Sequence, residues 1–332
     1  WEELAPDGLE QYGFGRLKDV VTQLQLARMF DAAGPTQGKL QCPSDGRKPR
    51  RLVMVQCVGS RDEKNCKYCS SVCCMAALKH SQLIKLEQDP NLDVAVCYTD
   101  IRAFGKGYEE YYKRANELGV RFVRGRVAEV TEDMHSGGLV VRVEDTLASV
   151  PLDLKADMVV LSSATTPAPD SSQLAKILGL KLDQYGFFKP AEPSQIDTDI
   201  PGIFLSGACS GPKDIPDSVA EGSAAASRVS SLLRQNEFKI YLVERESYLG
   251  GNLAKIKRTY PDEIETRSIL DPLIEDVNRN PNIKILTKSR VTDCEGHLGN
   301  FTVKVSKEPD FVDSDKCDLC GACVEACPIE SP

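Results

Sequence analysis

Thirteen cysteines stand in this chain of 332 residues, and most of them lie in two groups. One group lies in DKCDLCGACVEACPIESP, where Cys317, Cys320, Cys323 and Cys327 precede Pro328. The spacing C-x2-C-x2-C-x3-C-P is that of bacterial ferredoxins, in which cysteine thiolates hold a [4Fe-4S] cluster. A zinc knuckle and free thiols are the alternatives, and zinc sites more often use two separated pairs of ligands. The run therefore predicts an iron-sulfur cluster.

The fourth cysteine of this ferredoxin motif commonly ligates the other cluster of a two-cluster domain. The sequence contains one such run and ends five residues after Cys327. We therefore expect a partial ferredoxin-type domain over residues 309–332. Its cluster takes its fourth ligand from elsewhere or from residues missing from this sequence.

The second group of cysteines lies in QCVGSRDEKNCKYCSSVCCMAALKH, between Gln56 and His80. Its five members are Cys57, Cys66, Cys69, Cys73 and Cys74. Cysteines crowded in this way favour metal binding over a disulfide framework. Spacing alone leaves Cys57 and Cys66 as alternative ligands, because C-x2-C-x3-C is itself a plausible half of a cluster site. A set of buried reactive thiols is the other interpretation.

The segments around this second group are typical of alternating strands and helices. The stretch RRLVMVQCVGS is β-prone, and a helical pattern follows it from Val72. The next three segments predict a strand in LDVAVCYTDIR, a helix in EEYYKRANELG and a strand in VRFVRGRVAEV. This β-α-β-α-β order predicts an α/β fold with a doubly wound parallel sheet. The turn after the first strand normally carries G-x-G-x-x-G, which binds phosphate at a helix N-terminus. We infer a Rossmann unit of nicotinamide type whose phosphate loop is replaced by a cluster-binding loop, where the helix N-terminus favours thiolates.

The composition is that of a globular protein, with 41% hydrophobic and 27% charged residues. A net charge of -8 argues against a partner bound through nucleic-acid phosphates. The sequence has no apolar run of about 18 residues and no signal-peptide pattern after Trp1, so we expect a cytoplasmic protein without a membrane span. VVTQLQLARMF, within the first 50 residues, has the apolar spacing of a helix.

CVGSRD, YCSSVCCMAALK and YTDIRAFGKGYEEYYKRANELGVRFVRGR resemble the FAD and iron-sulfur subunit of heterodisulfide reductase, a protein of methanogens and anaerobic bacteria. The resemblance continues through VVLSSATTP and LAKILGLKLDQYGFF and covers most of residues 10–230. It implies a thioredoxin-reductase-like flavoprotein with Rossmann-like doubly wound modules plus a small ferredoxin-type module. It also implies a [4Fe-4S] cluster bound by Cys57, Cys69, Cys73 and Cys74, which leaves Cys66 surplus.

PGIFLSGACSGPKDIPDSVAEGSAAA is similar to the second FAD motif of these flavoproteins. The motif implies a buried strand over residues 203–206 and a helix that starts near Pro216, with Gly207, Ala208, Pro216 and Val219 close to the flavin. The family usually has an acidic residue directly after the glycine, whereas this chain has Ala208 and then Cys209, so it departs from the family at the residue that usually contacts the ribityl group. Lys213 is the candidate catalytic residue, because a cation near the isoalloxazine stabilises the anionic reduced flavin. A solvated loop lysine is the alternative.

FKIYLVERESYLGGNLAKI is similar to the second strand of an FAD-binding Rossmann domain. Glu244 would hydrogen bond the adenosine ribose, and Gly250 and Gly251 would admit the pyrophosphate or the flavin. An ordinary strand and turn is the alternative. No G-x-G-x-x-G precedes this strand, and in the resembled family the segment comes before the GPKDIPDS region, whereas here it follows. The junction at 236–238 indicates a tandem variant or a sequence from which segments are omitted. Omission explains the absence of the phosphate loop and also that of a second ferredoxin run.

The expected modules follow from these motifs. They are a linker and part of the flavoprotein core (1–50), a nicotinamide-domain-like module with a cluster (51–165), an FAD-binding tail (166–236), an FAD-binding Rossmann segment without its phosphate loop (237–308) and the partial ferredoxin-type domain (309–332).

The resemblance implies an electron-transfer subunit that binds FAD and [4Fe-4S] clusters and is the site of flavin-based electron bifurcation. The implied partners are the disulfide-reducing and iron-sulfur subunits and a hydrogenase or formate dehydrogenase unit, in a dimer of complexes. An iron-sulfur scaffold without flavin is one alternative. Membership in a quinone-interacting oxidoreductase complex is another, and the IRAFGKG stretch favours the heterodisulfide reductase branch.

Overall fold

The structure, a computed structural model, describes residues 1–4, 6–134, 137–233, 239–259, 264–297 and 300–309. The predicted ferredoxin-type cysteines Cys317, Cys320, Cys323 and Cys327 and the junction at 236–238 lie outside the described residues.

The described part of the chain forms six α-helices. They are α1 (Gln23–Phe30), α2 (Cys73–Leu83), α3 (Tyr108–Glu117), α4 (Ser171–Leu178), α5 (Ile215–Leu233) and α6 (Thr266–Arg279). Short 3-10 segments and one π-helical turn accompany them, at Pro6–Tyr12, Ile84–Gln88, Gly207–Ser210 and Gly251–Lys255.

Fourteen strands occur in the same described ranges. They are β1 (Glu2–Glu3), β2 (Val20–Thr22), β3 (Arg51–Val58), β4 (Asp93–Tyr98), β5 (Arg121–Arg124), β6 (Val127–Glu132), β7 (Leu139–Asp145), β8 (Val150–Ala156), β9 (Met158–Ser163), β10 (Thr165–Thr166), β11 (Ile240–Val243), β12 (Ile283–Leu286), β13 (Ser289–His297) and β14 (Asn300–Lys307).

A five-stranded sheet with all neighbours parallel forms the centre of the fold, in the order β2-β9-β3-β4-β5. Strands β3, β4 and β9 are buried along almost their whole length because both faces of the sheet are covered. Helices α1, α2 and α3 pack on one face, around Leu52 and Met54. The antiparallel sheet β6-β7-β8 covers the other face, around Val53 and Val55. The predicted α/β class with a parallel sheet is confirmed.

Three segments differ from the sequence-based expectation. The first three residues of VVTQLQLARMF form the edge strand β2, and only the remainder is helical. The helix begins there because Thr22 and Gln25 form a reciprocal capping box. The stretch VRFVRGRVAEV forms two strands, β5 and β6, in different sheets. It divides at Gly125, where a Cβ atom would lie 1.9 Å from the carbonyl oxygen of Glu144.

The strand predicted over residues 203–206 is not present. Phe204 makes an isolated bridge with Asp197, and no ladder of successive pairs extends it. Leu205 is buried in a small cluster with Ala175 and Phe188. The segment is therefore an extended loop that leads into α5, which begins at Ile215, close to the predicted start.

The segment after the junction forms a β-α-β unit. Strands β11 and β12 are parallel, with Ile240 opposite Ile283, and α6 connects them. Strands β13 and β14 follow as an antiparallel hairpin.

Within the described residues, no helix combines the length and the apolar character that crossing a membrane requires.

Candidate flavin and iron-sulfur site

A bulge at the carboxyl end of β3 places the first cysteine of the second group. The pairing of β3 with β9 shifts register between Val55 and Val58, so that β3 contains one extra residue there. Cys57 has φ +58°, and Arg61 and Ser71 nearby have φ +54° and +61°. Left-handed backbone costs a residue other than glycine about 1–3 kcal/mol, and such residues cluster at functional sites. The loop between β3 and α2 is thus held in a strained conformation around the cysteines.

Four of the cysteines form one electrostatic group. Burial raises the pKa of the Cys57 thiol, and Cys74 and Cys69 raise it further. Cys73 and Cys74 begin α2, and a hydrogen bond between their side chains raises the pKa of Cys73 and lowers that of Cys74 to about 7. Cys57 and Cys69 also raise the pKa of Cys73. The structure therefore brings together the four cysteines that the resemblance implies as ligands.

Cys66 lies in a different environment from these four residues. Its amide donates to the carbonyl of Gly59 at 3.0 Å, and its side chain, together with burial, raises the pKa of Tyr68. The Tyr68 hydroxyl donates to the carbonyl of Thr165 at 2.7 Å. The main interactions that shift the pKa of Cys57 and Cys73 do not include Cys66. Cys66 thus interacts with Tyr68, whereas Cys57 interacts with Cys69 and Cys74.

The surroundings of the four thiols fit a bound anionic cluster. The amide of Ser71 donates to Cys69 Sγ at 3.3 Å, and the Arg61 guanidinium lowers the pKa of Cys57 against the larger effect of burial. Arg61 is held by the carboxylate of Asp100 at 2.6 Å, while Cys74 Sγ donates to the Asp100 carbonyl at 3.8 Å. Soft thiolates are the donors that iron-sulfur clusters take.

Among the described residues, no three His, Cys, Asp or Glu side chains are arranged to hold a single metal ion. Four cysteine thiolates are the donor set that [4Fe-4S] clusters take in proteins.

A cavity of about 1030 Å³ lies beside the cysteine group. Its lining includes two stretches that are far apart in the chain, the loop that precedes α5 and the turn that follows β11. The predicted flavin residues on its wall are Gly207, Ala208, Lys213, Val219, Glu244, Gly250 and Gly251, whereas Pro216 is not on the wall. Cys73 also lines the cavity, so the cysteine group and the predicted flavin residues share one space.

The glycines of this cavity wall have left-handed backbone, and at Gly251 the space beside the backbone is open to a cofactor. Gly251 has φ +51°, and a Cβ atom added there would have no other atom within 4 Å, so the space beside its Cα atom is open. Gly250 has φ +106°, and a Cβ atom there would lie 3.0 Å from Leu270 Cδ1. Gly207 has φ +69°. The cavity is at the upper end of the range of about 300–1,000 Å³ that ligand sites occupy, as a dinucleotide requires.

Lys213 is held against the protein instead of projecting into solvent. Its Nζ donates to Ser210 Oγ at 2.6 Å and to the carbonyl of Gly207 at 3.4 Å, and it lies 3.3 Å from Glu221 Oε1. Glu221 is 9% exposed and accepts a hydrogen bond from the amide of Gly207 at 2.8 Å. This arrangement fixes a cation on the cavity wall, as the prediction for Lys213 requires.

Sequence reasoning missed Glu221. It lies in α5, and only the fold shows that its carboxylate reaches back to the loop that carries Lys213. Glu244, by contrast, lies directly after β11 as predicted, and one of its carboxylate oxygens accepts from the amide of Glu246 at 2.8 Å.

The opposite wall of the cavity carries a polar group that the sequence did not predict. His80 Nδ1 and Gln23 Oε1 are 2.5 Å apart, and Gln23 Nε2 donates to Ser162 Oγ at 3.2 Å. Burial lowers the pKa of His80 well below its usual value, so its imidazole is neutral. Burial also lowers the pKa of Lys79 to about 8. Helical periodicity in α2 is the only signal that could have placed Lys79 and His80 near the cysteines.

Direct contacts hold the walls of the cavity together. Lys79 Nζ donates to the carbonyl of Arg258 at 2.6 Å, and the Arg258 guanidinium pairs with Glu87. The Tyr108 hydroxyl donates to Asp214 Oδ2 at 2.9 Å. The segment after the junction and the loop before α5 are thereby attached to the helical face of the central sheet.

A protein family and several known proteins match this chain. The family described as the 4Fe-4S binding domain matches residues 311–331. An iron-sulfur subunit of the CoB–CoM heterodisulfide reductase of Methanocaldococcus jannaschii is 51% identical over 249 residues, which are 73% of this chain and 38% of that protein. A subunit of the H2/formate:CoB–CoM heterodisulfide, ferredoxin reductase of Methanococcus maripaludis is 48% identical over 258 residues, which are 76% of this chain and 39% of that protein.

The chain therefore spans about two fifths of the length of these relatives. Among solved structures, thioredoxin reductase from T. acidophilum is 17% identical and has a TM-score of 0.40, over 66% of this chain and 58% of that protein. A TM-score of this size carries no assignment of fold. The identities near 50%, in contrast, are those of proteins with common ancestry. The chain belongs to the family of these CoB–CoM heterodisulfide reductase iron-sulfur subunits, as its cysteine motifs predict.

Proposed function

We propose that this chain is the FAD- and [4Fe-4S]-containing electron-transfer part of a heterodisulfide reductase complex. One observation carries the proposal: a single cavity is lined by flavin-binding motifs from two distant stretches of the chain and by Cys73 of the cysteine group. Bound FAD converts two-electron transfer into single-electron transfers, and [4Fe-4S] clusters carry single electrons.

The residues of the chain have distinct roles in this proposal. Gly250 and Gly251 let the cofactor approach the backbone, and Glu244 accepts a hydrogen bond from the ribose. Cys57, Cys69, Cys73 and Cys74 hold one cluster beside the cavity. Cys317, Cys320, Cys323 and Cys327 hold a second cluster, in keeping with the match to the 4Fe-4S binding domain.

Lys213 acts on the flavin side of the cavity. Its ammonium group is fixed by Ser210, Gly207 and Glu221, so its position is set before the cofactor binds. A fixed cation stabilises negative charge on a nearby group without reorganisation. Lys213 therefore favours the anionic reduced state of the cofactor and is the candidate catalytic residue.

The finer proposal is that electrons leave the flavin to two separate acceptors, which is electron bifurcation. Its support is the presence of two cysteine groups in one chain and the name of the Methanococcus relative, which joins heterodisulfide and ferredoxin reduction. The proposed partners are the disulfide-reducing and iron-sulfur subunits and a hydrogenase or formate dehydrogenase unit, in a cytoplasmic dimer of complexes.

A substitution at Gly251 tests the flavin site in the purified full-length protein. A Gly251→Leu side chain would occupy the open space that the cofactor needs, so we expect FAD content to fall at least tenfold while iron and sulfide stay unchanged. The matched control is Gly222→Ala in α5, which also adds a Cβ into open space but lies outside the cavity wall. Equal FAD content in both variants would contradict the proposed site.

The alternative function is an iron-sulfur scaffold without flavin, which the absence of G-x-G-x-x-G from the sequence favours. Wild-type protein that retains iron and sulfide but binds no FAD, even when FAD is supplied, would establish this alternative.

A further inference from the structure

Gln56 is a buried amide whose polar atoms are unpaired. It immediately precedes Cys57 on β3 and is 5% exposed. Among the described residues, neither its Nε2 nor its Oε1 has a hydrogen-bond partner. An unpaired buried amide lowers stability, and native proteins rarely keep one without a reason. The side chain is therefore placed for a partner that is not a residue of the described chain.

The bulge in β3 determines which way this amide faces. Val53 and Val55 before the bulge and Val58 after it all belong to the cluster under the antiparallel sheet. Side chains alternate between the two faces along a strand, and the extra residue of the bulge shifts this alternation by one position. Val58 therefore lies on the same face as Val55, and Gln56 and Cys57 do not lie on that face. Gln56 continues the row of Leu52 and Met54, which pack against the helices.

The helix that packs on this face is the one that begins with two cysteines. Met75 and Leu78 of α2 belong to the same cluster as Leu52 and Met54. Gln56 is thus at the carboxyl end of β3, where the sheet faces the N-terminus of α2 and where Cys57 joins Cys73 and Cys74. The unpaired amide and the cysteine group occupy the same region of the fold.

We propose that the Gln56 amide donates a hydrogen bond to a sulfur of the cluster held by Cys57, Cys69, Cys73 and Cys74 and thereby raises its reduction potential. The inference rests on the proposed function, because it requires a cluster at these cysteines. A donor to sulfur stabilises the extra negative charge of the reduced cluster, and hydrogen bonds to sulfur are one of the determinants of cluster potential. Gln56 is a positioning residue that acts on the cluster through this bond.

A redox titration of the full-length, cluster-loaded protein tests the inference. Gln56→Leu removes the amide and keeps a similar apolar volume. We expect the ratio of reduced to oxidised cluster at a fixed potential to fall about tenfold, which is a midpoint lower by about 59 mV for one electron. The titration is followed by electron paramagnetic resonance, so that the cluster at Cys57 is distinguished from the ferredoxin-type cluster, whose midpoint should not move.

The matched control is Gln82→Leu, at a buried glutamine of α2. The Gln82 Nε2 atom already donates to the carbonyl of Tyr111 at 2.9 Å, and its unpaired Oε1 is an acceptor that cannot donate to sulfur, so the substitution should leave both midpoints unchanged. An unchanged midpoint in Gln56→Leu would overturn the inference and would assign the amide to a buried water. Equal shifts in both variants would also overturn it, because they would reflect a general loss of packing.

A second measurement needs no substitution. Protein labelled with 15N in glutamine side chains should show a nitrogen coupling to the reduced cluster in pulsed electron paramagnetic resonance, and its absence would overturn the inference. Iron and sulfide contents separate this failure from failure of the proposed function. Wild-type protein whose iron is accounted for by the ferredoxin-type cluster alone would refute both, whereas a full complement of clusters without coupling would refute only the role of Gln56.

Discussion

The buried ammonium group of Lys79 makes the stability of this protein depend on pH in a predictable window. Lys79 lies in α2, lines the cavity and has its pKa lowered from 10.5 to about 8, because burial disfavours the charged form. Between these two values the unfolded chain binds a proton that the folded chain does not. Stability therefore rises as the pH increases from about 8 to 10.5.

The size of the effect follows from the two pKa values. Their separation corresponds to about 3 kcal/mol of unfavourable free energy when the ammonium group is charged in the folded state. The hydrogen bond from Lys79 to the Arg258 carbonyl offsets about 1 kcal/mol of this cost. Lys79→Met removes both contributions, so the variant should be more stable than the wild type by about 2 kcal/mol at pH 7. Above pH 10.5 it should be less stable by about 1 kcal/mol.

Urea unfolding of the cofactor-free protein at several pH values measures this difference. Subtraction of the wild-type curve from the variant curve removes the contributions of other titrating groups. His80, the adjacent buried residue, has its pKa lowered and affects stability only as the pH falls below about 6.5, outside the window. A stability difference that stays constant between pH 8 and pH 10.5 would refute the account of Lys79 as a buried ammonium group.

Two further predictions concern the cysteine group and the cation of the cavity. Cys69→Ser should lose about four iron atoms per chain relative to the wild type, whereas Cys66→Ser should retain them. Equal losses in both variants, measured by iron and sulfide analysis, would contradict the separation of Cys66 from the cluster. Glu221→Gln keeps an acceptor for the Gly207 amide but removes a negative charge beside Lys213, so the flavin midpoint should rise by about 30 mV, a tenfold change for two electrons. Asp199→Asn, which breaks the exposed ion pair with Lys181, should leave the midpoint unchanged, and equal shifts would count against a specific role for Glu221.

The alternation of β3, α2, β4, α3 and β5 could be predicted from sequence because it is a local property. The β-prone runs at β3 and β4 are short, and the helical segments that follow them have clear periodicity. The division at Gly125 could not be predicted, because it depends on the close approach of the carbonyl of Glu144 from a later strand. The predicted strand at 203–206 was wrong for the same kind of reason: an apolar run forms a strand only where a neighbour extends the ladder.

The candidate site was predictable to the extent that its residues belong to motifs. Spacing and resemblance located the four cysteines, and the two flavin motifs located residues that the fold brings to one cavity. The contact of Cys66 with Tyr68, which supports the proposed separation of Cys66 from the other four cysteines, could be seen only in the fold. Glu221, Gln23 and Lys79 carry no motif, and their roles arise from contacts between segments that are far apart in the chain.

The content of flavin, iron and sulfide in the anaerobically purified full-length protein tests the central claim most directly. The shared cavity and the two cysteine groups predict about one FAD per chain together with iron and sulfide for more than one [4Fe-4S] cluster. Clusters in the absence of any bound FAD would contradict the claim that the cavity beside Cys73 is a flavin site.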